Sequence, residues 1–370
     1  MSKDSSAKKS VGRLFGVLVW LVPVIVVLII GGIMVSKPID TSILTQVIKQ
    51  RFASQAEKWP DGLYAGLAGS GGPMPDANRA GPCVAVVAGD HLYIVDVGEG
   101  SVRNLALMGF KLGFADAALL THFHSDHISD LGELMLQRWV GGSNDKPLEV
   151  IGPPGVEQVV EGFNLAYKQD DGYRTAHHGA KTAPPSGAGG VAKPFTLSDA
   201  EDASTVVVDQ DGVKITAFKV NHAPVSPAVG YRFDYKGRSL VISGDTTPTD
   251  SLKKQAKGVD LLIHDAMQVT MVKLLHDQAN LSYSPSLSKI TADIPSYHTT
   301  PEEAAQIAQE AGVKRLVFYH ISPPIPNPIL NDVFMGDAAK FYKGPITIGI
   351  DGLLYSLPPG SDKVEEKKLL

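Results

Sequence analysis

Apolar positions change their period along this chain, and each change marks a different element. Residues 14–35 form an apolar run with no charged side chain, preceded by Lys3, Lys8, Lys9 and Arg13. As a helix such a run is about 33 Å long, the thickness of a hydrocarbon core. No small-x-small cleavage site follows it. The pattern predicts an uncleaved single-pass anchor over 14–35, with 1–13 as a basic tail inside and the body outside the membrane, periplasmic or extracellular. Residues 36–61 read as a linker plus a helix over Thr41–Ala56, where Ile43, Leu44, Val47, Ile48 and Phe52 recur at helical spacing.

From residue 62 the texture becomes short apolar runs separated by turns. Strands are predicted at Val84–Val87, Leu92–Val97, Ala117–Leu120, Leu148–Ile151, Val206–Val208, Lys214–Val220, Ala228–Tyr235, Ser239–Ser243, Leu261–His264 and Arg315–Tyr319. A final hairpin is predicted from Ile346–Ile350 and Leu353–Leu357 around Asp351-Gly352. Helices are predicted at Ile128–Val140 and Val156–Tyr167. A third starts at Thr300-Pro-Glu-Glu303, with Thr as cap, Pro in the first turn and Glu three residues on, and stops near Gly312. The Gly-, Pro- and Ala-rich stretch Tyr173–Pro194 reads as a long loop, and residues 358–370 as a polar tail. Strands alternating with helices over residues 62–357 predict a layered α/β domain.

Composition narrows the chemistry. The net charge of −5 gives no sign of an overall basic nucleic-acid surface, and the hydrophobic share of 44% is enough for a sizeable core. Cys83 is the single cysteine, so a thiolate metal cage and an internal disulfide are both excluded. Any metal must rest on His and carboxylates.

That material is present. The run Ala117–Leu120 is followed by Thr-His122-Phe-His124-Ser-Asp126-His127. Later strands end in His222, Asp245, His264-Asp265 and His320. Three imidazoles and a carboxylate within one short stretch at a strand end are costly for an ordinary core. They suit zinc, which takes about four N or O ligands. Two such ions can share a carboxylate and acidify a water.

His122-Phe-His124-Ser-Asp126-His127 resembles the HxHxDH signature of the metallo-β-lactamase superfamily, and the later order His222, Asp245, His320 fits it. The resemblance implies a four-layer αββα sandwich over residues 62–357. It implies one metal on His122, His124 and His222, a second on Asp126, His127 and His320, and Asp245 between them. Zinc is the implied ion, two per chain; manganese or iron also fits such ligands. Within the superfamily the chain is similar to the branch of ribonuclease Z and the arylsulfatase-like proteins. LAGSGGPMP resembles its glycine-rich turn, and VDVGEGSVRNL resembles a segment whose aspartate, here Asp96, supports the ligand loop. SYHTTPEEAA resembles the segment that carries a proton-donating histidine, here His298, and Asp265 stands where a glutamate orients it. Asp126, His298 and Asp265 are therefore the expected catalytic group.

One departure directs the expectation of substrate. In ribonuclease Z an arm that grips transfer RNA is commonly inserted where this chain has only residues 223–244, which read as a hairpin. Together with the expected anchor and the acidic charge, this favours a membrane-anchored dinuclear zinc hydrolase of small phosphate or sulfate esters, with transfer RNA disfavoured as a partner. The alternatives are a lactone or β-lactam hydrolase, a ribonuclease Z-type endoribonuclease, and a metal-binding protein without turnover. His177 and His178 would border the mouth or simply face solvent.

Overall fold

The computed structural model describes residues 41–49 and 59–370. The expected span, 14–35, lies outside the described residues. Among the described residues no helix is long and apolar enough to cross a membrane. Residues 41–49 form a helix (α1) with exposed side chains, in agreement with the described part of the expected helix.

The second compact unit is Trp59–Leu370. One sheet has eight strands in the order β15-β14-β1-β2-β3-β4-β5-β6: β1 (Leu63–Gly69), β2 (Cys83–Ala88), β3 (His91–Val95), β4 (Ala115–Leu119), β5 (Leu148–Gly152), β6 (Gly190–Pro194), β14 (Leu353–Leu357) and β15 (Glu365–Lys368). The other has seven, in the order β13-β12-β11-β10-β9-β8-β7: β7 (Ser204–Gln210), β8 (Val213–Lys219), β9 (Val229–Tyr235), β10 (Arg238–Ile242), β11 (Leu261–Met267), β12 (Arg315–Ser322) and β13 (Ile346–Ile348). Leu63, Leu67, Val84 and Val86 of the first sheet meet Ile215, Phe233, Leu240 and Val317 of the second in a shared core. Helices cover the outer faces. α2 (Ser101–Leu107), α4 (Leu131–Gly142) and α5 (Val156–His178) lie on the first sheet, and α6 (Asp250–Gln255) and α9 (Pro301–Ala311) on the second. The arrangement is the α/β sandwich that the resemblance implied.

Parallel strands covered on both faces read as continuous apolar runs, as in LLI of β11 and LVFY of β12. α9 begins as its sequence demands: Thr300 Oγ1 accepts from Glu303 N (3.2 Å), while Glu303 Oε2 accepts from Thr300 N (2.9 Å). Residues 223–244 hold a plain β9–β10 hairpin turning at Lys236-Gly237, so the arm is absent.

Two expectations fail, and one pair of helices lies where none was expected. β13 and β14 are not a hairpin: β13 runs parallel to β12 in one sheet, while β14 pairs with β1 in the other. The Asp351-Gly352 turn therefore carries the chain across the sandwich. Alternation shows which face of a strand is apolar but not which strand it pairs with. The loop expected from Tyr173 is in part helix, because α5 continues to His178. Only Val156 and Val160 of α5 are buried, so its far end carries no apolar stripe to read. Between Asp265 and His298 the chain forms a helical hairpin, α7 (Val269–Leu281) and α8 (Pro285–Asp293), that the strand-based reading passed over.

Candidate metal centre

The ligand-type residues collect where strands of both sheets end. His122 follows β4 after Leu120 and Thr121, and His124 caps the short helix α3 (Ser125–Ile128), whose first turn carries Asp126 and His127. His222 lies just past β8 and Asp245 just past β10. His320 lies inside β12 at a bulge. Asp265 pairs with Tyr319 and Ala266 with Ile321, so His320 is the extra residue, at φ 48°. That backbone conformation costs about 1–3 kcal/mol for a non-glycine residue.

Ligand atoms of His122, His124, His222 and Asp245 lie within 4.8 Å of one another, as do those of Asp126, His127 and His320. A further group joins Asp245 and His320 to His298. His122 Nε2 stands 2.9 Å and His222 Nε2 3.4 Å from His124 Nδ1. Three imidazole nitrogens aimed at one point cannot all satisfy each other by hydrogen bonds, because each neutral ring has one donor. A cation at their centre can satisfy all three, so the donor set fits a metal. Asp245 Oδ2 is 3.1 Å from His320 Nε2 and 3.4 Å from His127 Nε2.

The far ring nitrogens fix most of these side chains. His122 Nδ1–H donates to Thr121 Oγ1 (3.1 Å), His222 Nδ1–H to the Tyr297 carbonyl (2.9 Å) and His127 Nδ1–H to Asp96 Oδ2 (2.9 Å). Asp96 is held in turn by Thr121 N and Oγ1, each at 2.8 Å. Each bond sets the tautomer that points a lone pair inward. Asp96 thus stands where the resemblance placed it. Thr121 and Tyr297 escaped the sequence reading, because each acts by a bond that shows only in three dimensions.

Burial pushes the His122, His124 and His222 imidazoles below their usual pKa, toward the neutral form that binds metal. Burial alone would raise the Asp126 and Asp245 carboxyls, but the facing imidazoles of His127 and His320 outweigh it and hold both low. His127 and His320 are raised: desolvation opposes this, but Asp245 and the other carboxylates dominate.

Beside the cluster, His298 Nδ1–H donates to Asp265 Oδ2 (3.0 Å), and His264 Nδ1 lies 3.0 Å from Asp265 Oδ1. Asp265 is fully buried. Desolvation would raise its carboxyl, yet the facing His264 and His298 imidazoles hold it low; His264 Nδ1–H itself donates to the Asp265 backbone carbonyl (2.8 Å). His177 and His178 close α5, exposed and outside all three groups. A groove of about 880 Å³ opens at His222, bordered by Asn221, Ser226, Thr249 and Lys253.

Gly98 lets the ligand loop approach. A Cβ there would lie 2.3 Å from the Asp126 carbonyl oxygen and 2.4 Å from the Gly81 carbonyl carbon, both backbone. Gly98→Ala should therefore destabilise the fold by at least about 3 kcal/mol, read as a shift in urea midpoint, since neither neighbour can turn aside.

Residues 111–321 match the family model described as a Beta-lactamase superfamily domain. A protein of Mycobacterium sp. (strain KMS) named Ribonuclease Z is 37% identical over 295 residues, 80% of this chain and 96% of that protein. Another of that name, from Mycobacterium bovis (strain BCG / Pasteur 1173P2), is 37% identical over 287 residues, 77% and 95% of the two chains. Among solved structures, the metallo-β-lactamase fold protein YhfI from Bacillus subtilis superposes with a TM-score of 0.58 at 22% identity, over 80% of this chain and all of that one (100%). Human tRNase Z, short form, does so at 0.57 and 21%, over 80% and 99%.

These matches overturn three expectations. The small phosphate- or sulfate-ester hydrolase gives way to the ribonuclease Z alternative, the name carried by relatives matched over nearly their whole length. Treating a small ester as the partner and disfavouring transfer RNA fails with it. The missing arm bears on how a substrate is gripped, not on the reacting groups, and net charge is a whole-chain sum that does not describe one rim. The membrane-anchored, extracytoplasmic placement is corrected too: it rested on the 14–35 run alone, while the body matches Ribonuclease Z and shows no membrane-crossing helix among the described residues. With its two sheets, its histidine–aspartate clusters and these relatives, the chain belongs to the metallo-β-lactamase superfamily, in the branch of ribonuclease Z, and is a metal-dependent hydrolase.

Proposed function

We propose that the chain is a zinc-dependent endoribonuclease of the ribonuclease Z type, cleaving a phosphodiester in transfer RNA-like substrates. The observation that carries this reading is Asp245, whose carboxylate belongs to one ligand group with His122, His124 and His222 and also contacts His127 and His320 of the other. His122, His124 and His222 would hold one ion and Asp126, His127 and His320 a second, with Asp245 in reach of both groups. Bound zinc supplies Lewis acidity and a water acidic enough to attack at neutral pH.

The chain's own residues supply the rest. Asp96, Thr121 and the Tyr297 carbonyl hold three imidazoles in their ligating tautomers. Asp265 Oδ2 accepts the hydrogen bond of His298 Nδ1–H, which orients the ring so that the imidazolium can give its Nε2 proton to the leaving ribose oxygen and remain neutral, with Nδ1–H kept. That oxygen is a poor leaving group as an alkoxide, so an RNA phosphodiester needs such a donor.

The test is cleavage of a transfer RNA transcript extended at both ends by zinc-loaded protein. We expect metal-dependent cutting at a defined phosphodiester, abolished by chelator. Turnover of an aryl sulfate or a β-lactam with the RNA left intact would overturn the reading.

A further inference from the structure

The segment from Ser70 to Ala80 touches the environment of both ligand groups. It starts as a continuation of β1 beside β12: Ile321 N donates to the Ser70 carbonyl (2.9 Å), and Gly71 bridges to Ile321. The next residue, Gly72, lies on the His320 ring, where a Cβ would stand 3.0 Å from Cε1 and 3.3 Å from Nδ1. Further on, Met74 packs with Met267, Val272, Ile294 and Tyr297, whose carbonyl holds His222.

Both ends of this segment are held by one distant carboxylate. Asp351 Oδ1 accepts from Ser70 N (2.9 Å) and Ser70 Oγ (2.8 Å). Its Oδ2 accepts from Ala80 N (2.7 Å) and from Asn104 Nδ2 of α2 (2.8 Å). Gly71 N–H to the Ala80 carbonyl (2.9 Å) closes the neck. Four donors saturate the two oxygens, and none of them touches a ligand-group residue directly.

His320 differs from the other buried ligand histidines. His122, His127 and His222 each have a bond at Nδ1 that sets the ring. His320 Nδ1 is buried and has no hydrogen-bond partner among the described residues. No bond at Nδ1 sets its ring: Nε2 meets Asp126 (3.2 Å) and Asp245 (3.1 Å), and on the far side only packing holds it, with Gly72 against the ring edge at Cε1. We propose that Asp351 is the positioning residue for His320: by clamping both ends of the Ser70–Ala80 loop it seats Gly72 on the imidazole and so aims Nε2 at Asp126 and Asp245. The inference deepens the metal reading given above and rests on it.

The test is titration of the metal-free full chain with zinc against a chromophoric chelator, for wild type, Asp351→Asn, Gly72→Ala and His320→Ala. Asp351→Asn keeps the volume but cannot accept from all four donors; Gly72→Ala drives a methyl into the ring. We expect wild type to bind two ions. We expect both variants to weaken one ion by about 10–100-fold, the same ion that His320→Ala loses, and to leave the other unchanged. A general structural role would weaken both ions together with the melting temperature, and that result would overturn the proposal. So would Asp351→Asn binding both ions as wild type does. If Asp351→Asn does not fold, Gly72→Ala decides alone, and two ions bound with unchanged affinity sink the idea. Wild-type protein that takes up no zinc would overturn the metal reading itself, which separates that failure from failure of Asp351.

Discussion

Asp245→Ala is expected to lower kcat/KM on the RNA substrate by at least about 10⁴-fold and to leave the chain unable to hold its full metal complement. Asp245 is 2% exposed, and its Oδ2 stands 3.1, 3.4 and 3.9 Å from ring nitrogens of His320, His127 and His222. Its other oxygen has no partner among the described residues. Burial would raise this carboxyl, yet the imidazoles of His320 and His127 hold it well below the usual range. Removing it takes away the carboxylate that belongs to one ligand group and contacts both His127 and His320 of the other. Asp245→Asn separates charge from shape, since it keeps the volume and loses the anion. Metal content by elemental analysis and single-turnover cleavage are the measurements. An alanine variant that keeps two ions and a tenth of the activity would remove Asp245 from the bridging role.

The second large effect is at His298. His298→Ala should slow RNA cleavage by about 10²–10³-fold with the metal content unchanged. Its Nδ1–H is committed to Asp265, itself fully buried and backed by His264. A phosphodiester whose leaving group is an acidic phenol needs no proton in the transition state, so its turnover should fall far less than that of RNA. His298 also lies near Asp245 and His320, in a group that could take an ion. Loss of metal in His298→Ala, with both substrates slowed alike, would make it a ligand and not a donor.

Much of this centre is legible in the amino-acid order because its parts are local. His122, His124, Asp126 and His127 fall within one turn after one strand, and the cap at Thr300 is written in four consecutive residues. What was not legible depends on contact over distance. Nothing near Asp351 in sequence announces that it holds Ser70 and Ala80, and alternation at 346–357 cannot say that the two strands belong to different sheets. The bulge at His320 appears only when β12 is laid against β11. The substrate was misjudged for a related reason: a missing insertion is easy to see in a sequence, whereas the chemistry that remains is the better guide.

The ligand groups straddle the sandwich. His122 and His124 follow a strand of one sheet and face His222 and Asp245 from the other; Asp126 and His127 likewise face His320. A bound ion is then a clasp across a seam, tying two β-layers at the edge where their strands end. Affinity for the ion and cohesion of the layers become one quantity seen from two sides. Removing the ion with a chelator is therefore expected to lower the melting temperature of the folded chain, loosening the two layers at that edge first.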